Sequence, residues 1–140
     1  MTHRTSLRIV NRLDDLVQVR AAVEASIQAG GFPHEQLNRI LIAVDEAVTN
    51  IIEHGYDGSG PGTRHVDIEL EVSQAEFRIA LIDEGESFDP RSMSDIDIQK
   101  HVAAGRNGGL GVFLIRKIMD VVDYHHETGR HNRLVMVKKA

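Results

Sequence analysis

Apolar residues change their spacing along this chain, and each change predicts an element. Ser6–Val10 alternates and reads as a short first strand. Asn11 is placed to cap a following helix, with Asp14 and Asp15 suiting its positive first turn. Leu13, Leu16, Val17, Val23 and Ile27 then repeat at helical spacing until Gly30–Gly31 stops them, and Pro33 suits the opening turn of a second helix. In that helix Leu37, Ile40, Leu41, Val44, Val48, Ile51 and Ile52 form one stripe running to about His54. Gly55–Thr63, rich in glycine and holding Pro61, is a turn or loop.

Val66, Ile68, Leu70 and Val72 alternate strictly, as do Phe77, Ile79 and Leu81 beyond Ser73–Glu76, so this pair predicts an antiparallel hairpin. Arg91–Asn107 is polar, with one short helix expected near Ile96–Val102. Gly108–Gly111 leads into a third helix whose buried side is Leu114, Ile115, Ile118 and Met119, and Val121–Thr128 and Arg133–Val137 read as closing strands. Strands and helices are partly segregated, which predicts an α+β two-layer sandwich: a mixed, mostly antiparallel sheet with helices on one face. No repeat or linker divides the pattern, so residues 1–140 are expected to form a single domain.

Composition narrows the classes. Hydrophobic residues are 41% but aromatics only 4%, so the core rests on aliphatic residues and platforms for stacking single-stranded bases are scarce. A net charge of −5 disfavours a grip on nucleic-acid backbones. Without cysteine, disulfides, thiolate catalysis and Cys-based zinc sites are excluded. No apolar run approaches the roughly 20 residues of a membrane span, and Met1–Ser6 has no signal-peptide core. The expectation is a soluble cytoplasmic protein that contacts neither membrane nor nucleic acid directly.

Three segments carry candidate chemistry. Glu46 and Asn50 stand one helical turn apart and project together, with Ala43 and Ala47 beside them leaving room for a ligand. A carboxylate and an amide oxygen so placed can position a nucleophile beside a magnesium ion, although the same residues also fit the wet face of an amphipathic helix. Asp83, at a strand end, can accept a hydrogen bond from an adenine amino group where guanine presents an oxygen, and Gly85 permits close backbone approach; an ordinary Asp–Gly turn fits too. Gly105–Gly111, ahead of a strong helix, frees N–H groups to face phosphates, but it lacks the P-loop lysine and is no dinucleotide fingerprint. His125, His126 and His131 read as surface residues, because adjacent strand residues point to opposite faces.

Taken together and in this order, the segments resemble the Bergerat (GHKL) ATPase domain shared by gyrase, a major heat-shock chaperone, histidine kinases and MutL. "LNRILIAVDEAVTNIIEHGY", "LIDEGESFDP" and "GGLGVFLIRKIMD" resemble the bacterial anti-sigma-factor serine/threonine protein kinases of the RsbW and SpoIIAB type, and the likeness covers nearly the whole chain. The resemblance implies ATP and Mg2+ as ligands. By it Glu46 would be the general base, Asn50 the magnesium ligand, and Asp83 with Gly85 the adenine site. Gly108, Gly109 and Gly111 would meet the phosphates, Arg91–Asn107 would form a lid, and Arg106 would reach the terminal phosphate. The implied partner is a STAS-domain anti-sigma-factor antagonist phosphorylated on serine, with a sigma factor as a second partner and a homodimer as the assembly.

Two departures stand out. Ser87 replaces a second glycine, and Leu134–Val137 lacks the threonine that often supports the adenine-binding aspartate. The competing reading is a nucleotide-gated anti-sigma binding module with little or no kinase activity. Retention of both Glu46 and Asn50 favours the enzyme. An ATPase driving conformational change is disfavoured, since no transducer domain is expected in 140 residues.

Overall fold

The structure is a computed structural model that describes residues 1–56, 58–85, 108–127 and 131–140, with backbone alone at 108–112 and 127. Five strands and three α-helices are named here in chain order: β1 (His3–Val10), α1 (Leu16–Gly30), α2 (Leu37–Asn50), β2 (His65–Val72), β3 (Glu76–Asp83), α3 (Gly108–Ile118), β4 (Val121–Glu127) and β5 (His131–Lys139).

The strands form one sheet in the order β1-β2-β3-β5-β4. Every pairing is antiparallel, the pure form of the largely antiparallel sheet that the pattern implies. The hairpin turns where expected: Ser73 donates its N–H to the Glu76 carbonyl at 2.9 Å.

Period-two alternation decides the faces. Val66, Ile68, Leu70 and Val72 of β2 and Phe77, Ile79 and Leu81 of β3 are buried against the helical layer. Asp67, Glu69 and Glu71 stand on the other side, where Arg8, Arg133 and Arg4 pair with them in turn. Asp83 continues the inward row of Phe77, Ile79 and Leu81, so alternation aims a carboxylate into the interior at the strand's end.

Val19, Val23 and Ile27 of α1, with Ile40, Val44 and Val48 of α2, complete the core. Each such side chain contributes roughly 1.5–3 kcal/mol by leaving water. Gly31 ends α1 in the left-handed conformation, φ 75°, where glycine has no Cβ penalty, and its N–H bonds the Ile27 carbonyl.

Three local expectations change. Asn11 caps no helix. It is buried, accepting from the Arg64 N–H at 2.9 Å and donating to the Gly60 carbonyl at 3.1 Å, which ties the end of β1 to the loop before β2. The apolar stripe of α2 continues past Asn50 as expected, but Ile51–Gly55 winds as a π-helical turn. The glycines 108, 109 and 111 lie within the first turn of α3 rather than ahead of it. The short helix expected near Ile96–Val102 falls outside the described residues.

Candidate functional site

The candidate site lies where two turns meet, one following the C-terminal end of α2 and the other following the C-terminal end of β3. On α2, Asp45 is committed to Arg20 of α1 in an ion pair at 2.9 Å. Glu46 is the half-buried carboxylate beside it, and Asn50 follows one turn later. Asn50 is 8% exposed, and its Nδ2 is buried with no partner among the described residues. A buried amide left unpaired costs about 1–3 kcal/mol, a cost that a polar ligand would remove. Ala43 and Ala47 do not line an open space; both are packed into the core.

The π turn after Asn50 brings the helix end onto the turn that follows β3. A Cβ on Gly85 would lie 2.4 Å from the Gly55 carbonyl oxygen and 3.0 Å from the Tyr56 ring, so only glycine fits there. Tyr56 fastens the two turns together. Its buried hydroxyl accepts the Glu84 N–H at 2.9 Å and donates to the His65 carbonyl at 2.7 Å. Arg64 lies over the Tyr56 ring, 4.9 Å from its centroid, and donates to the Glu84 carbonyl. π-helical turns inside helices recur at functional sites, and this one sits between the two polar groups of the site.

Asp83 is 6% exposed. Its Oδ1 accepts the Gly85 N–H at 2.9 Å and the Asn132 Nδ2–H at 3.0 Å. Burial pushes its carboxyl above the ordinary carboxylate value, and the bonds from Asn132 and Gly85 pull it part of the way back. No cation is hydrogen-bonded to it among the described residues; neutral donors hold the carboxylate, and the Arg64 guanidinium steadies its charge from further off.

Asn132 is the residue that local reading missed. The threonine expected along Leu134–Val137 is indeed absent, yet Asn132, earlier on β5 and directly across from Asp83 in the register, supports the aspartate. Its signal lay only in a polar residue on the inward row of a strand, which no local pattern connects to a residue 49 positions away. His126, one strand further, bonds Asn132 Oδ1 through its Nδ1, so it is engaged in the site's edge.

Gly108, Gly109 and Gly111 contribute the opening N–H groups of α3, which have no acceptor inside the helix and are suited to an anion. α3 packs against α2, the helix of Glu46 and Asn50. Arg106 and the expected lid, Arg91–Asn107, lie outside the described residues, as does Ser87. The groups present suit a nucleotide: a carboxylate able to accept from a base amino group, a buried amide NH2 without a partner among the described residues, and helix-terminal N–H groups for phosphates. No described helix is long and apolar enough to cross a membrane.

The sequence matches the histidine kinase-like ATPase domain over residues 9–138. It is 32% identical to the serine-protein kinase RsbW of Halalkalibacterium halodurans over 115 residues, covering 79% of this chain and 68% of that protein. The RsbW serine-protein kinase of Staphylococcus aureus is 30% identical over 116 residues, 79% of this chain and 72% of its own length. That of Listeria monocytogenes is 29% identical over 114 residues, 79% and 71%. In three dimensions the chain superposes on the RsbU and RsbW domains of Rv1364c from Mycobacterium tuberculosis with a TM-score of 0.66 at 15% identity. That match covers 97% of this chain but 31% of the other, and it supports the shared fold. With a Bergerat-type sheet-and-helix layer and a family match over almost its whole length, the chain belongs to the histidine kinase-like ATPase family, in its RsbW branch.

Proposed function

We propose that this chain is an ATP-dependent serine protein kinase that phosphorylates a STAS-domain anti-sigma-factor antagonist in a bacterial partner-switching pathway. The observation that carries the reading is the buried Asn50 amide, whose NH2 has no partner among the described residues, one turn from Glu46 on a helix whose following turn packs against Gly85, two residues beyond Asp83. The serine-protein kinase relatives support the reaction class.

Each residue then has a task. Asp83 accepts from the adenine amino group, and the N–H groups opening α3 face phosphate oxygens. Asn50 would hold a magnesium ion through its amide oxygen, and the ion would supply charge neutralisation to the phosphates. Glu46 takes the proton of the partner's serine hydroxyl as that oxygen bonds to the γ-phosphorus. The bond from the γ-phosphorus to the bridging oxygen breaks, and ADP leaves. Positioning and charge neutralisation dominate such transfers, so few groups suffice. A single domain acting as a homodimer in the cytoplasm, with a sigma factor as a second partner, belongs to the same proposal.

The deciding experiment is calorimetric titration with ATP, GTP and ADP, with and without magnesium, followed by a labelled-phosphate assay with STAS-domain partners. ATP should bind more tightly with magnesium and GTP should not compete. Glu46→Ala should lower transfer by about 10²–10⁴-fold while leaving ATP affinity within about twofold. Transfer undiminished in Glu46→Ala would remove the base from this position. Tight nucleotide binding with no transfer to any STAS partner would favour a nucleotide-gated binding module.

A further inference from the structure

Asp83, Asn132 and His126 form one row across three strands. The register pairs Asp83 with Asn132 between β3 and β5, and Asn132 with His126 between β5 and β4. Alternation puts all three on the helix-covered face.

The chemistry of the neighbours fixes the amide's orientation. On one side Asn132 meets only acceptors, Asp83 Oδ1 at 3.0 Å and the Gly85 carbonyl at 2.9 Å. Its NH2 group must face them, and its oxygen must face His126. His126 therefore carries a proton on Nδ1. A flipped amide would set oxygen against both the Asp83 carboxylate and the Gly85 carbonyl, so those two acceptors fix the orientation and His126 holds the amide oxygen from the other side. Asn132 is 2% exposed, so water gives little relief to a wrong orientation.

Both bonds to the Asp83 carboxylate from Asn132 and Gly85 end on Oδ1. We infer that Asn132 is the positioning residue that sets base preference in this site: it commits Oδ1 and the Gly85 carbonyl, leaves Oδ2 as the acceptor offered to a purine amino group, and is itself held in register by His126. The inference rests on the adenine reading of Asp83. Without Asn132, the carboxylate would turn about its own bond, held by the Gly85 N–H alone, and a base bearing an oxygen at that position would meet less opposition.

Competition calorimetry with ATP and GTP tests this on four variants of the full chain, with folding checked by circular dichroism. Asn132→Leu keeps the volume and deletes the amide; ATP affinity should fall about tenfold and the ATP-over-GTP ratio by a similar factor. Asn132→Thr retains one donor and should recover most of the ratio, a rescue that a purely packing role would not give. His126→Ala should lower the ratio by about threefold through the freed amide. Asp83→Asn is the reference and should abolish the preference. An unchanged ratio in Asn132→Leu with a collapsed ratio in Asp83→Asn would overturn the role of Asn132 and leave the adenine reading standing. If no variant moves the ratio, the adenine reading fails, and this inference with it. Should Asn132→Leu not fold, the exposed His126 decides the matter, and an unchanged ratio in His126→Ala would overturn the inference.

Discussion

Asp67 on β2 and Asp83 on β3 are close neighbours in one sheet; Asp67 pairs directly with Ile82, the residue before Asp83. Asp67 faces solvent and meets Arg8 in a fork of two bonds, Nε to Oδ1 at 2.6 Å and Nη2 to Oδ2 at 3.2 Å. That hydrogen-bonded guanidinium holds its carboxyl below the ordinary value. Asp83 points inward, has only neutral donors bonded to it among the described residues, and is pushed above the ordinary value by burial. A one-step difference in strand parity thus separates a charge that the fold has neutralised from one that it carries at a cost. The first is ordinary surface chemistry, of a kind measured at about 0–1 kcal/mol. The second is a buried charge held mainly by neutral donors, the kind of perturbed group that makes a ligand-site candidate.

The sharpest way to break this contrast is to make both residues asparagine. Asp83→Asn should weaken ATP binding by roughly 10- to 100-fold, because the acceptor for the amino group becomes a donor. Asp67→Asn should leave nucleotide binding unchanged. Equal losses in the two titrations would dissolve the distinction.

The turns that hold Asp83 come next. Tyr56→Phe strips the hydroxyl that serves both the Glu84 N–H and the His65 carbonyl, leaving two part-buried groups unpaired. Urea denaturation should show a loss of about 1–3 kcal/mol, with ATP affinity also reduced.

Proton linkage gives the two aspartates opposite signs. The folded carboxyl of Asp83 lies above its unfolded value, so the folded state binds this proton more tightly. Its penalty is complete at pH values above the folded pKa and disappears below the unfolded one, near 3.8. Ligand-free Asp83→Asn should therefore melt higher than the parent at neutral pH, with the gap closing on acidification. The folded carboxyl of Asp67 lies below its unfolded value, so its contribution is present above the unfolded value and is lost as pH falls through the folded one. Asp67→Asn should cost under about 1 kcal/mol at neutral pH, less at high salt, and nothing in acid. Thermal melts across pH would read both.

Where a feature is local and periodic, the residues announced it. The β2–β3 hairpin, the stop of α1 at Gly30–Gly31 and the core stripe of α2 follow from spacing and turn chemistry, and Asp83 was visible as a carboxylate at a strand end. The π turn at Ile51–Gly55 was not, because its apolar residues continue the helical stripe and only the hydrogen-bond pattern changes. Asn11 looked like a cap because asparagine before a helix usually is one; its bonds to Gly60 and Arg64 are tertiary. Ala43 and Ala47 read in sequence as room for a ligand, but small residues also permit close helix packing, and the core claims them. Asn132 was invisible for a different reason: its meaning depends on which strand lies beside β3, and β5 reaches that place only by topology.

The contact between Gly85 and the Gly55 carbonyl has a consequence for how this site can vary. The π turn that follows α2 and the turn that follows β3 abut backbone to backbone, with no room for even a methyl group between them. The spacing of these two turns is thus gauged largely by the main chain, whose dimensions every sequence shares. Core residues around it can be exchanged while the gauge keeps its length. Any side chain added at position 85 would force the two turns apart, and the candidate site would be stretched with them.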